Sequence, residues 1–512
     1  MERSMSARRA VVVGAGFGGL AAAIRLRARG YEVVVVEATD QPGGRASVFR
    51  QDGFSFDGGP TVVTAPYLFE ELFALVGRDW RDYYSLVPVD PFYRVVFPDG
   101  SHFDYVGDEE RILAQIRTFN PDDVDGYRRL ADHARRIFEV GYEQLADVPF
   151  DSAMDMARIV PKMMALKSYR TVYGLVASYI RDPRLRQVFT FQPLLVGGNP
   201  FNTTSIYMLI HWLERKWGVH FAMGGTASIV RALVTLLEEI GVEVRCNAPV
   251  SEVRVERGQT TGVTLASGEV LDADVVVCNA DPSMVYTRLI DPAHRRKHTD
   301  RSVQRKKQSM SLFVAYFGTN KVYPDLAHHT IVLGDRYKGL LTDIFDRRVL
   351  ADDFSLYLHA PTRTDASLAP AGCENLYVLS PVPNNLSGIR WEETREAYKE
   401  KVYRALEDRV MPGLRPSIIT EKTIDPDYFE HNLRSLQGAA FGPEPILTQS
   451  AYFRYHNRSE DVGGLYFVGA GTHPGAGMPG VLCTAKVLDR IVPAPEPGAR
   501  VPVPGSDRDA AE

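Results

Sequence analysis

Cysteine is scarce in this chain of 512 residues: Cys246, Cys278, Cys373 and Cys483 are the full set, with no CxxC pair and no histidine at zinc-ligand spacing. A disulfide framework and a zinc module are therefore excluded, and scattered thiols fit a reducing compartment. A formal net charge of −5 leaves no basic excess with which to hold a nucleic acid. No uncharged apolar run reaches the roughly 18–20 residues that a bilayer crossing needs, so any membrane contact is superficial. Internal repeats are also missing. What is present is a globular composition, 45% apolar and 24% charged. The length allows roughly two to four structural units at roughly 100–200 residues each.

The apolar stretch 10–24 behind Arg8 and Arg9 imitates a secretion leader, but Gly14, Gly16, Gly18 and Gly19 punctuate it at patterned positions. It reads instead as a strand (10–13), a glycine turn, a helix (18–28), a turn at Gly30 and a second strand (33–36) ending in Glu37, which is a βαβ unit. In G-x-G-x-x-G, Gly14 permits the tight turn, Gly16 lets backbone approach a pyrophosphate and Gly19 lets helix pack on strand. The helix start supplies unpaired N–H groups and a positive dipole end. Glu37 closes the second strand about 20 residues on, where a carboxylate accepts both ribose hydroxyls of an adenosine. Turn, helix, strand and carboxylate together point to a dinucleotide. Pro42-Gly43-Gly44-Arg45 follows directly, a second glycine bend with a guanidinium suited to phosphate. The spacing recurs at Gly475, Gly477 and Gly480, but no second strand or acidic residue follows, so a separate nicotinamide domain is not expected.

Further along, 93–97 and the turn Pro98-Asp99-Gly100 predict a hairpin, and 108–240 is mostly helical in pattern, with a helix start at Asn120. Strand patterns at 242–245, 250–255, 263–265 and 275–277 have the character of the first sheet, which suggests a cofactor domain built from separated segments. Residues 311–317, 355–359 and 376–379 predict a second sheet able to line a substrate site. The tail from 493 carries Pro, Gly, Ala and charge without periodicity and is expected to be disordered.

The most diagnostic block is 465–481, LYFVGAGTHPGAGMPGV, a strand running through a glycine turn into a helix. With 445–451 (PILTQSA), His456-Asn457-Arg458, 56–61 (FDGGPT), 194–201 (LLVGGNPF), Gly224-Gly225-Thr226, Asn279-Ala280-Asp281 and 355–364 (SLYLHAPTRT), it resembles the bacterial and fungal-type phytoene desaturases, carotenoid enzymes of the FAD-dependent amine oxidase-like flavoproteins. The resemblance runs from about residue 10 to 492.

It implies FAD, held by Gly14, Gly16, Phe17, Gly18, Gly19, Glu37, Ala38, Gly43, Gly44, Arg45, Gly59, Pro60, Thr61, Asn279 and the Val250 main chain. From the C-terminal block it adds Gly469, Gly471, Thr472, Gly477, Met478 and Pro479. Other members of the superfamily carry Asp or Glu at Thr472, so a backbone N–H is expected to take over the ribityl contact here. The implied fold is α/β: a Rossmann-like FAD domain assembled from 1–85, 221–300 and 441–492, a mixed-sheet substrate domain from 86–140 and 301–440, and a helical, membrane-contacting subdomain at 141–220.

The implied reaction is stepwise dehydrogenation of phytoene toward neurosporene or lycopene, with quinone or oxygen reoxidising the flavin. A lipophilic C40 carotene offers no polar handle, so its binding rests on apolar area at about 25 cal/mol per Å² in a long tunnel. The protein is expected as a peripheral enzyme on the cytoplasmic side of the membrane. The stretch 154–180 interleaves apolar residues with Arg158, Lys162, Lys167 and Arg170 as a helix pair lying in a bilayer surface would, and Arg295-Arg296-Lys297 and Arg305-Lys306-Lys307 can add attraction to anionic lipid. Asp155 and Arg158, three apart on one helix face, are candidates for a proton-relay pair or an ordinary ion pair. The alternatives are a carotene isomerase, a desaturase of another polyene, an amine oxidase, though 475–480 offers no aromatic pair to flank a flavin, or a non-catalytic flavin scaffold.

Overall fold

The structure, a computed structural model, describes residues 8–495. Its central sheet has five strands, all parallel, in the order Leu465–Phe467, Val275–Cys278, Arg9–Val13, Glu32–Val36 and Glu243–Arg245. Valine runs suit it because a parallel strand is covered on both faces. Helices Phe17–Ala28, Thr226–Glu239 and Met478–Ile491 cover one face through Leu20, Ile24, Leu233 and Val487. The first of these helices is apolar or small on every side and is buried from Phe17 to Arg27. Its two buried cations are both held, Arg25 by Glu71 at 2.8 Å and Asp489 at 2.6 Å and Arg27 by the Ile240 carbonyl at 2.7 Å, as a buried charge must be.

One expectation needs correcting. Strands Val250–Glu256 and Gln259–Leu265 do not join the parallel sheet; with Val270–Asp272 they form their own antiparallel sheet, which covers the second face through Val253, Val263 and Leu265. A tight turn at Arg257 and Gly258 folds them back on each other, and their outward residues are charged, so they lack the two buried faces a parallel strand needs.

The second large sheet has seven strands in the order Ile418–Ile424, Ser311–Thr319, Glu374–Val382, Leu356–His359, His329–Val332, Tyr93–Val96 and His102–Tyr105. The Tyr93–Val96 and His102–Tyr105 hairpin was legible from its turn; its parallel pairing with His329–Val332 was not. Alternation in Ser311–Thr319 sends Phe313, Ala315 and Phe317 against helix Trp391–Arg409, and Leu312, Val314 and Tyr316 to the opposite face.

Helix Ala153–Ala165 has no buried residue, and Met154 and Met164 are 61% and 56% exposed. The segment after it differs from the expected surface pair: Val172, Leu175, Val176 and Ile180 are wholly buried and pack on Leu130 and Ile137, so only the first helix is open. The basic clusters are partly spoken for as well, since Arg295 is buried on Asp300 and Lys297 pairs with Glu460. Among the described residues no helix is long and apolar enough to cross a membrane. The tail expected to be disordered lies outside the described residues from 496 on; just before it, the Val492 and Pro493 carbonyls accept bonds from Arg29 and Tyr31.

Candidate active site

A cavity of about 850 Å³ runs from the carboxyl ends of the parallel strands to the inner face of the seven-stranded sheet. At its first end, Gly14 has φ +98° and donates its N–H to the Val36 carbonyl at 2.7 Å, which turns the chain out of the sheet. A Cβ on Gly19 would stand 2.0 Å from the Gly14 carbonyl oxygen, so that position closes the helix onto the turn. Gly14, Gly16 and Phe17 line the cavity, whereas Gly18 and Gly19 lie behind it and serve packing. Asn279, also on the wall, is clamped: a Cβ on Gly16, Gly18 or Gly469 would meet its amide at 2.7, 2.5 or 2.8 Å.

Glu37 and Ala38 line the same end. Glu37 Oε2 accepts the Ala15 N–H at 2.7 Å and Oε1 accepts the Thr39 N–H at 3.0 Å, which fixes the carboxylate over the turn. The second bend docks on the first through the Gly43 N–H and Ala15 carbonyl at 2.9 Å, and Gly43, Gly44 and Arg45 reach the wall. Arg45 donates to Ser435 Oγ at 2.8 Å, and its buried Nε has no protein partner among the described residues. Gly59, Pro60, Thr61 and Val250 complete this half. From the C-terminal block Gly477, Met478 and Pro479 reach the cavity, with Ala470 and His473; Gly469, Gly471 and Thr472 stand behind them. Thr472 is fully buried, its hydroxyl donating to the Gly469 carbonyl at 3.2 Å, so its side chain is taken. Burial pushes His473 down to about 4, which leaves a neutral imidazole.

The other half is apolar, walled by Leu312, Val314 and Leu379 of the sheet and by Ile210, Leu213 and Leu195. It extends to helix Ala153–Ala165, whose Met156, Ile159 and Met163 face it. Asp155 and Arg158 come together at 3.5 Å on that helix, but with side chains 38% and 74% exposed they do not line the cavity.

Sequence reasoning missed a polar stripe across this apolar wall. Thr61 Oγ1 lies 3.1 Å from the Tyr357 hydroxyl and 3.0 Å from that of Tyr377, and Tyr357 reaches His329 Nδ1 at 2.7 Å. Behind them His328, His329 and His359 are buried together, and loss of solvation holds all three well below the usual histidine range. Tyr93 continues the stripe, donating to Glu214 Oε1 at 2.8 Å. Burial pushes Glu214 up to about 8. The one signal in the sequence was the i, i+3 pair His211 and Glu214 on the otherwise apolar face of helix Leu209–Trp217.

The model of the flavin containing amine oxidoreductase family matches residues 17–486. Curated relatives match over nearly their whole length: the chain is 48% identical over 486 residues to a lycopene-forming phytoene desaturase of Pseudescherichia vulneris, covering 95% of this chain and 99% of that one. This chain belongs to the flavin containing amine oxidoreductases, in their phytoene desaturase branch. A neurosporene-forming phytoene desaturase of Rhodobacter capsulatus is 45% identical over 496 residues, 96% of this chain and 95% of that one. The fold is that of the cyclohexylamine oxidase of Brevibacterium oxydans, with TM-score 0.61 and 17% identity over 95% of this chain and 98% of that one.

The cofactor of the family member is FAD, and the residues present fit it. Helices Phe17–Ala28 and Met478–Ile491 both begin at the cavity, at Gly16 and Gly477, and neither has a side-chain cap. Their leading N–H groups, with the unpartnered Nε of Arg45, suit a diphosphate. Glu37, fixed over the same turn by the Ala15 N–H, suits ribose hydroxyls.

Proposed function

We propose that this chain is a FAD-dependent desaturase that dehydrogenates phytoene in successive steps toward neurosporene or lycopene. The observation that carries the reading is the continuity of one cavity, from uncapped helix ends and Glu37 through an apolar wall to an exposed methionine-rich helix. FAD supplies a two-electron acceptor when bound. The chain's own residues do the rest. Gly14, Gly16, Glu37, Gly43, Gly44, Arg45, Gly59, Pro60, Thr61, Asn279, Gly477, Met478 and Pro479 hold the nucleotide along the wall, with the main chain at Val250, while Gly18, Gly19, Gly469, Gly471 and Thr472 brace it from behind. The apolar half excludes water and aligns the hydrocarbon.

Helix Ala153–Ala165 lies on the membrane surface in this reading, supported by the exposure of Met154, Val160, Met164 and Tyr169, and a carotene enters past Met156, Ile159 and Met163. Asp155 and Arg158 are then a charge pair at that mouth, and Asp155→Asn slows conversion with flavin content unchanged. The enzyme acts as a peripheral protein on the cytoplasmic side of the membrane, with quinone or oxygen as final acceptor. The segments 1–85, 221–300 and 441–492 make the cofactor domain, 86–140 and 301–440 the substrate domain, and 141–220 the helical subdomain.

Expression in cells that accumulate phytoene tests the proposal. Pigments absorbing at longer wavelength, with hydrogens lost in pairs, are the expected result. Unchanged phytoene refutes it, and a product of unchanged hydrogen count assigns an isomerase instead.

A further inference from the structure

Making a double bond removes hydrogens from two neighbouring carbons. In the desaturation proposed above, one leaves with its electron pair, taken up by the oxidised flavin. The other leaves as a proton, its C–H electrons becoming the new π bond. That proton needs an acceptor within a hydrocarbon-lined space. Among the described residues four carboxyls line the cavity: Glu37, Asp40, Asp281 and Glu214. Glu37 is fixed over the glycine turn, and Asp281 caps a helix start by accepting the Ser283 N–H at 2.7 Å. Only Glu214 stands in the apolar half.

We propose that Glu214 accepts the proton lost by the hydrocarbon, and that Tyr105, His211 and Tyr127 lead it toward the Arg215–Glu109 pair at the surface. The assignment rests on the desaturase reading. Glu214 is 1% exposed; Tyr93 occupies its Oε1, and its buried Oε2 has no partner among the described residues. An unpaired carboxyl oxygen in such a place is costly unless a ligand or a proton uses it. A chain of side chains links the carboxyl to the segment 59–61 placed against the nucleotide: Tyr93, which bonds Glu214, has its ring 5.8 Å from that of His329, which bonds Tyr357, which bonds Thr61.

Tyr105 from the neighbouring strand and the Gln192 amide also face the carboxyl and favour its charged form without satisfying Oε2, and His211 and Arg215 lie on the same helix. From Tyr105 the polar track is continuous. Its hydroxyl lies 2.6 Å from His211 Nδ1, and His211 Nε2 lies 3.5 Å from the Tyr127 hydroxyl. Arg215 donates to Tyr127 at 3.0 Å and pairs with Glu109 at 3.2 Å, where the Glu109 side chain is 47% exposed. Burial keeps His211 neutral, pushed down to about 3, so it can pass a proton without holding it. With Glu214 pushed up to about 8, the accepting carboxylate form grows as pH rises through that value. The rival is His473, which also lines the cavity and has an unpartnered Nδ1, but burial and the nearby Arg454 oppose its protonation.

The test uses the FAD-loaded protein on liposomes carrying phytoene, without oxygen, with flavin reduction followed in a single turnover from about pH 6 to about pH 9. The wild-type rate rises through about pH 8. Glu214→Gln lowers it by roughly 10²-fold or more and flattens the profile, with bound flavin unchanged, and Glu214→Asp retains a pH-dependent fraction. Independently of turnover, infrared titration of the wild type shows a protonated carboxyl band that vanishes near pH 8 and is absent in Glu214→Gln. Wild-type rates in Glu214→Gln, an unaltered pH profile in that variant, or no such band in the wild type would each overturn the assignment. A wild-type rate that stays flat across that window would move the role to a group that titrates below it, such as His473. A wild-type protein that binds flavin but leaves phytoene intact sinks the desaturase reading, and this assignment with it.

Discussion

The two halves of the cavity are built on opposite plans. At the nucleotide end, contacts run through backbone and glycines, many of them within the first βαβ unit and the bend after it: Gly14 to Val36, Ala15 to Glu37, Gly43 to Ala15. At the hydrocarbon end, contacts join distant segments, as Tyr93 and Glu214 do across 121 positions. The first plan fixes backbone N–H groups where charge must be held. The second makes a smooth apolar wall from side chains of two sheet faces and several helices, with polarity confined to one stripe. A charged ligand needs a few exact donors, whereas a hydrocarbon needs area and dryness, and the two kinds of demand leave different marks on a chain.

Substitutions can break this contrast. The largest effect is expected at Gly19, where a Cβ would meet the Gly14 carbonyl oxygen at 2.0 Å, a backbone atom with nowhere to go. Gly19→Val should abolish bound flavin, read from the absorbance of the purified protein, and lower stability by about 3 kcal/mol or more. Retained flavin would mean that the turn does not need that close approach.

Next comes Asp57, which joins the two halves. It ends the hairpin strand Phe54–Asp57 that packs under the seven-stranded sheet, and its carboxyl accepts the Thr226 N–H at 3.1 Å at the start of a helix on the parallel sheet. Burial raises it to about 6 from 3.8, so the folded state keeps a proton that the unfolded chain has already released. Stability from this group is therefore full below about pH 4 and falls as pH rises toward 6, by about 3 kcal/mol in total. Asp57→Asn should remove that slope from denaturant unfolding measured across the window. An unaltered slope would free the junction from this carboxyl.

Arg45→Ala removes the cation with an unused Nε and should weaken FAD binding by about 1.5–3 kcal/mol, measured by flavin titration of the apoprotein. Leaving the apolar half intact, it sharpens the division of labour. The smallest effect belongs to the outer surface. Met154→Asp with Met164→Asp should reduce liposome flotation by roughly tenfold while flavin content and the unfolding midpoint stay put. Undiminished flotation would place the membrane contact elsewhere.

The same contrast explains what could be read from the chain. The glycine turns, Glu37 and Arg45 were legible because they fall at fixed spacings within the first 45 residues, although Ser435, which holds Arg45, gave no sign, and the final block from Leu465 carried its own strand, turn and helix. The discontinuous parallel sheet was legible in kind but not in membership. An alternating valine pattern at 250–255 suits either a parallel or an antiparallel partner, and only the tight turn at Gly258 decided it. The segment after residue 165 looked like a second surface helix because its apolar residues carry no sign of which neighbours cover them. Glu214 offered only its spacing from His211 and the three histidines offered nothing, since their importance appears only when folding brings Glu214 to the apolar wall and the histidines behind it.

The claim on which the rest depends is that one continuous space holds both the flavin and the hydrocarbon. It is tested most directly by adding phytoene in liposomes to the FAD-loaded protein without oxygen and watching the bound flavin and the polyene together. Flavin bleaching in step with a more conjugated product, one new double bond per flavin reduced, is the predicted result. Bound flavin that stays oxidised while phytoene stays intact would contradict it.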